Sequence, residues 1–172
     1  ADSVSQRPIA TCMPSTTVAA MSTFGTGTCP GLTGMTGYTQ LNPDNGEICQ
    51  LISFKNAPAP LKLQQQPTIF ERLAEQDVRV TSSGLPKFAF NYGWDSDKWI
   101  GTYERIDAQL SLLRRSVPKN TLIVIVADHG MITADPEACI DIVSEPQLMW
   151  GVANVGGEPR CVMLYGEDGE NP

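Results

Sequence analysis

The chain has 172 residues and a formal net charge of −7; 41% of its residues are hydrophobic and 18% are charged. These values are typical of one globular domain with a sizeable core, and they exclude an intrinsically disordered chain. Because the charge is acidic and no basic stripe is present, the sequence predicts no nucleic-acid groove, and no apolar stretch approaches the length of a membrane span.

The five cysteines are widely scattered, and none of them forms a Cys-x-x-Cys pair. This pattern argues against a disulfide framework or a structural zinc cluster and favours a reducing compartment. The first residues, Ala1–Val4, have neither a basic start nor an apolar stretch, so no signal peptide is visible. We therefore predict a cytoplasmic protein.

A helix is predicted near the N-terminus, with Ser15 or Thr16 as its N-cap and its end before Gly25. A hydroxyl in the first turn of a helix lies near the positive end of the helix dipole, where backbone N–H groups point at any bound anion. Such a position suits a nucleophile that attacks phosphorus. Capping without chemistry is the commoner use of Ser and Thr at helix starts, and the residues alone favour it.

The rest of the chain shows alternating turn, helix and strand patterns. A loop is predicted over residues 25–46, with a strong turn at 42–46. Helices are predicted over 67–76 and about 95–115, and strands over 48–54, 78–81, 122–127 and 160–165. A second turn is predicted at 156–159. Helix followed by strand occurs twice, which favours an α/β layered fold.

The apolar run from Leu122 to Ala127 predicts a strand buried on both faces, as in a parallel sheet. Asp128 and His129, the single histidine of the chain, follow this run directly. Because ligands of open α/β sheets bind just beyond the carboxyl ends of the strands, the pair is a candidate metal site, and both side chains are good zinc ligands. The alternative is that the pair only caps the turn after the strand.

Two motifs together resemble a known family. Pro14–Thr17 (PSTT), with Thr26-Gly27 further along, resembles the nucleophile segment of the type I phosphodiesterase/nucleotide pyrophosphatases, which belong to the alkaline phosphatase superfamily. Val126–Met131 (VADHGM) resembles the metal-binding motif of that family. The resemblance runs through most of the chain, including residues 31–34 and 93–97.

The resemblance implies an α/β fold with a mostly parallel central sheet and helices on both faces, as in alkaline phosphatase. It also implies two zinc ions, with Asp128 and His129 binding the same metal as the Thr17 oxygen. Thr17 is then the nucleophile and forms a phospho-threonine intermediate. The expected activity is metal-dependent hydrolysis of phosphodiester or nucleotide pyrophosphate bonds in a small-molecule phosphate ester.

The chain departs from the family pattern in its metal ligands. The family needs a further Asp near the N-terminus, an Asp and a His in mid-chain, and a late His, whereas this chain has one histidine. Ala20 stands where some relatives carry an Asn that holds phosphate. We therefore expect a single α/β catalytic domain over residues 1–172, with segments missing before residue 1, around residues 88–91 and after residue 172.

Two rival interpretations stay open. Sulfatases of the same superfamily use an oxidised cysteine in a Cys-x-Pro-x-Arg motif, and Cys12–Thr16 (CMPST) matches it except for the arginine. The second rival is a non-catalytic remnant domain with the same scaffold. Under that interpretation Asp128 and His129 are ordinary loop residues.

Overall fold

The computed structural model describes residues 9–82 and 96–167. The chain divides into two compact units, one formed by Ala1–Val80 with Cys139–Pro172 and the other by Thr81–Ala138. The first unit contains Thr17, and the second contains Asp128 and His129. Residues 88–91, where we expect a missing segment, lie outside the described residues, as do most of the residues of the 93–97 motif.

The first helix, α1 (Thr17–Thr26), begins and ends with well-formed caps. The Thr16 side chain is the N-cap and accepts a hydrogen bond from the Ala19 N–H at 3.3 Å, so Thr16 is the one of the two predicted caps that is used. At the other end Gly27 adopts the left-handed backbone, with φ 70°, and closes the helix. The helix therefore runs through Gly25, where the sequence predicted its end.

Three short helices follow in the same unit: α2 (Pro30–Thr33), α3 (Pro60–Leu63) and α4 (Ile69–Ala74). Proline stands at the first position of α2 and of α3, where its missing N–H costs no helical hydrogen bond. A capping box of Thr68 and Glu71 begins α4 and confirms the helix predicted over 67–76.

The sheet of the first unit has four strands in the order β2-β1-β3-β4. The strands are β1 (Thr39–Leu41), β2 (Ile48–Gln50), β3 (Val152–Glu158) and β4 (Cys161–Gly166). The predicted turn at 42–46 connects β1 to β2, and there Asn42 Oδ1 accepts a hydrogen bond from the Asp44 N–H at 2.9 Å. The predicted turn at 156–159 is misplaced, because β3 continues through Glu158.

The prediction of a mostly parallel central sheet is wrong, since every strand pair of this sheet is antiparallel. The predicted strands at 78–81 and 122–127 have no strand pairing in the described chain. Leu122 is 84% exposed and Ile125 is 65% exposed. An apolar run becomes a doubly buried strand only where neighbouring strands and covering helices exist, and the described part of the second unit contains no strand to pair with it.

The second unit contains the long helix α5 (Asp97–Ser116), close to the predicted range of about 95–115. Its N-cap is Ser96, whose Oγ accepts a hydrogen bond from the Trp99 N–H at 3.3 Å. Arg114 and Arg115 lie in the last turn, where positive charge interacts favourably with the helix dipole. Across the described ranges, no helix combines the length and the apolar character needed to cross a bilayer.

A small hydrophobic core joins α1 to the β1–β2 hairpin. Its buried residues are Val18, Met35, Cys49 and Leu51, and Tyr38 is among the partly buried residues packed against them. Because Val18 follows Thr17 directly, this core fixes the first turn of α1 against the segment that enters β1.

Candidate active site

Thr16 and Thr17 are adjacent hydroxyl residues with different surroundings. Thr16 is fully buried at 0% exposure, and its Oγ1 is engaged as the cap of α1. Its carbonyl also accepts the first helical hydrogen bond, from the Ala20 N–H at 2.8 Å. Thr17 is the first helical residue and is 7% exposed. The Thr16 hydroxyl is therefore engaged in the cap. The Thr17 hydroxyl lies in the first turn of the helix, at the positive end of the helix dipole.

Tyr38 contacts Thr17 directly. The Tyr38 hydroxyl donates a hydrogen bond to Thr17 Oγ1 at 3.3 Å. The Tyr38 carbonyl accepts a hydrogen bond from the Leu51 N–H at 2.8 Å, which holds its backbone to the segment that follows β2. The sequence prediction missed Tyr38, because it lies in a segment whose composition predicts a loop and meets Thr17 only through the tertiary fold.

A charged pair at the β3–β4 turn holds the backbone that enters α1. The Arg160 guanidinium donates two hydrogen bonds to Glu158 Oε2, at 3.2 and 3.1 Å. Its Nη2 also donates to the Ser15 carbonyl at 3.2 Å, two residues before Thr17. The Glu158 side chain is 2% exposed and that of Arg160 is 48% exposed. The sequence prediction placed the turn too early, at 156–159, and assigned the pair no role.

The Thr26-Gly27 part of the nucleophile motif closes α1. Thr26 Oγ1 donates to the Ser22 carbonyl at 2.8 Å and shares a hydrogen bond with Thr28 Oγ1 at 2.9 Å. The Gly27 N–H donates to the Thr23 carbonyl at 2.8 Å. In this structure these residues therefore form the C-terminal cap of the helix that begins at Thr17.

Asp128 and His129 lie side by side in the second unit. The His129 Nδ1 is 2.7 Å from the Gly130 carbonyl oxygen, and because a carbonyl only accepts hydrogen bonds, Nδ1 carries the hydrogen. The His129 Nε2 is 3.6 Å from Asp128 Oδ2, with side-chain exposures of 7% and 25% respectively. Asp128 Oδ1 also accepts a hydrogen bond from the His129 backbone N–H at 3.2 Å.

This geometry fits a shared metal ion. Two ligands at zinc bond lengths on a tetrahedral ion lie about 3.3–3.4 Å apart, close to the 3.6 Å between His129 Nε2 and Asp128 Oδ2. A hydrogen bond from Nδ1–H to a carbonyl is the usual contact that leaves Nε2 as the metal ligand. Within residues 9–82 and 96–167, no group of three or more His, Cys, Asp or Glu side chains could hold a metal. Among the described residues, Asp128 and His129 are therefore two candidate ligands without a third beside them.

Comparison with known proteins identifies the family. The family model described as type I phosphodiesterase/nucleotide pyrophosphatase matches residues 1–92 and 87–159. The matched residues include Thr17, Asp128 and His129. No curated protein and no solved structure shows significant similarity to this chain.

Proposed function

The chain belongs to the type I phosphodiesterase/nucleotide pyrophosphatase family, and from this membership we propose that it hydrolyses phosphodiester or nucleotide pyrophosphate bonds with Thr17 as the nucleophile. The observation that carries the proposal is the position of Thr17 within the matched region, as the first residue of α1. The Thr16 hydroxyl is engaged in the cap, which favours Thr17 of the two threonines.

In the proposed reaction the Thr17 Oγ1–P bond forms as the hydroxyl proton passes to solvent. The leaving oxygen takes the electron pair of its bond to phosphorus and is protonated from solvent. The phospho-threonine is then cleaved by water, which restores the Thr17 hydroxyl. The N-terminal N–H groups of α1 and the positive end of its dipole favour the negative charge of the phosphoryl oxygens. This stabilisation needs no rearrangement during the reaction, because the helix is already capped by Thr16.

Asp128 Oδ2 and His129 Nε2 are the atoms that we propose to hold one of two zinc ions. The hydrogen bond from His129 Nδ1 to the Gly130 carbonyl supports this role, because it orients the ring and leaves Nε2 as the acceptor. Zinc, when bound, would supply Lewis-acid stabilisation of negative charge. The substrate class is a small-molecule phosphate ester.

The state of the cysteines supports a reducing location as part of the same proposal. Cys12, Cys29, Cys49 and Cys161 are free thiols. Disulfides form and persist mainly in oxidising compartments, so free thiols suit a cytoplasmic enzyme.

The test combines zinc analysis with hydrolysis of bis(4-nitrophenyl) phosphate. We expect turnover by the unaltered protein, loss of at least about a thousandfold in Thr17→Ala because no oxygen remains to attack phosphorus, and equal zinc content in both. Thr23→Ala is the matched control, since it removes a hydroxyl from the same helix. The buried Thr23 Oγ1 makes no hydrogen bond within the described chain, so we expect turnover within about twofold of the unaltered protein.

Each other outcome points to a named alternative. Near-normal turnover in Thr17→Ala refutes the nucleophile assignment. Formylglycine at Cys12, detected by peptide mass spectrometry, would support the sulfatase interpretation. A protein without zinc and without turnover would be a non-catalytic member of the family.

A further inference from the structure

Tyr38 is held in place by contacts that do not involve Thr17. Its ring packs against the core that contains Val18 and Leu51. Its carbonyl accepts a hydrogen bond from the Leu51 N–H at 2.8 Å. The ring and the backbone are therefore fixed from two sides, and the hydroxyl is presented to α1 with little freedom to move.

The hydroxyl of Tyr38 donates to Thr17 Oγ1 at 3.3 Å. A threonine oxygen can accept two hydrogen bonds and donate one, so the contact occupies an acceptor position and directs the Thr17 proton elsewhere. When that proton leaves, the oxygen becomes anionic and the same contact becomes charge-assisted, which makes it shorter and stronger. The interaction is thus worth more as the nucleophile forms than in the resting enzyme, which is the requirement for a contribution to rate.

We propose that Tyr38 is a positioning residue that orients the Thr17 hydroxyl and stabilises its oxygen as the proton is lost. The inference rests on the proposed function of Thr17. Tyr38 keeps its own proton throughout: the proton of Thr17 passes to solvent water, the Thr17 Oγ1–P bond forms, and the leaving oxygen takes the electron pair of its bond to phosphorus and is protonated from solvent.

The deciding variant is Tyr38→Phe, which keeps the ring in the core and removes the hydroxyl. We expect kcat to fall about 10- to 100-fold, as for loss of one hydrogen bond to a charged oxygen, with KM within about twofold. We expect the melting temperature to stay within about 2 °C of that of the unaltered protein, because the ring still packs in the core. Packing alone does not explain a fall in kcat of this size with KM and the melting temperature preserved.

Tyr165→Phe is the matched control. The Tyr165 hydroxyl accepts a hydrogen bond from the Leu41 N–H at 3.0 Å, so this variant also loses a tyrosine hydroxyl that is bonded to the sheet. We expect it to lower thermal stability with kcat within about twofold of the unaltered protein. If Tyr38→Phe fails to fold, 3-fluorotyrosine at position 38, whose hydroxyl is a stronger donor, should raise kcat, and an unchanged kcat would overturn the inference.

The outcomes separate this inference from the proposed function. An inactive unaltered protein would overturn both. An active protein that needs Thr17, with Tyr38→Phe unchanged in kcat, would overturn the role of Tyr38 alone. A loss of activity in Tyr38→Phe that follows a lower melting temperature would show a structural role and would also overturn it.

Discussion

At the residue scale, the start of α1 divides two tasks between neighbouring threonines. The Thr16 Oγ1 satisfies the Ala19 N–H, which would otherwise be one of the unpaired donors of the first turn. Thr17 Oγ1 instead accepts a hydrogen bond from the Tyr38 hydroxyl. One hydroxyl therefore stabilises the helix, while its neighbour is oriented from outside the helix. This division gives a physical reason to assign chemistry to Thr17.

Asp128 and His129 can be tested at the residue scale without any measurement of activity. We expect His129→Ala to weaken zinc binding by at least about 100-fold, because the substitution removes a ligand and the contact that orients it. Affinity is measured by competition with a chromogenic zinc chelator. Glu137→Ala is the control, since it removes an exposed carboxylate from the same unit. Equal zinc affinity in the two variants would contradict the assignment of His129.

At the element scale, the β3–β4 hairpin depends on close backbone contact at Gly157. This residue has φ +88° and pairs with Thr39 of β1 and with Val162 of β4. A Cβ added there would lie 2.3 Å from the carbonyl oxygen of Cys161, within the same hairpin. The hairpin carries Arg160, which binds the Ser15 carbonyl before α1. The close backbone packing at Gly157 thus supports the chain segment that leads into α1 and the candidate site.

We expect Gly157→Ala to lower the free energy of unfolding by about 2–4 kcal/mol, because left-handed backbone strain and a clash with backbone act together. The control is Gly46→Ala, where φ is +71° but no atom beyond its chain neighbours lies within 4 Å of the added Cβ. In that variant the free energy of unfolding should fall by only about 1–2 kcal/mol, because backbone strain acts without a clash. Urea denaturation measures the free energy of unfolding of both variants. Equal decreases in the two variants would show that the structure around Gly157 relieves the clash.

At the scale of the whole molecule, the described hydrophobic core lies in the unit that contains α1 and the sheet. Cys49 is fully buried in this core at 0% exposure, and burial raises the pKa of its thiol above the ordinary 9.0. The neutral thiol therefore contributes stability that is complete below pH 9 and is lost as pH rises towards the folded-state pKa. Burial and protonation both suppress the reactive thiolate.

Thiol labelling should consequently report unfolding of the core. We expect iodoacetamide to modify the exposed Cys29 rapidly and Cys49 only at the rate at which the core opens, and denaturant should make the two rates similar. Peptide mass spectrometry measures both sites in one sample. Labelling of Cys49 as fast as Cys29 in native buffer would contradict a closed core around β2.

Features that depend on near neighbours could be predicted from the amino-acid order. The cap at Thr16 and the turn that begins at Asn42 are confirmed, and α4 and α5 lie close to their predicted ranges. Helices, caps and turns are built from contacts within about four residues, so their information is local. The two motifs that resemble the family are also continuous segments, so the amino-acid order alone is enough to indicate the family.

The pairing of distant segments could not be predicted in the same way, because it depends on the tertiary fold. The apolar run from Leu122 is indistinguishable in pattern from a buried strand, yet it is exposed, and the sheet that does form is antiparallel. Pairing of Thr39 with Gly157, contact of Tyr38 with Thr17 and contact of Arg160 with Ser15 all join segments far apart in the chain. A strand's partner and direction depend on residues elsewhere in the chain, so hydrophobic periodicity indicates burial without indicating what covers it.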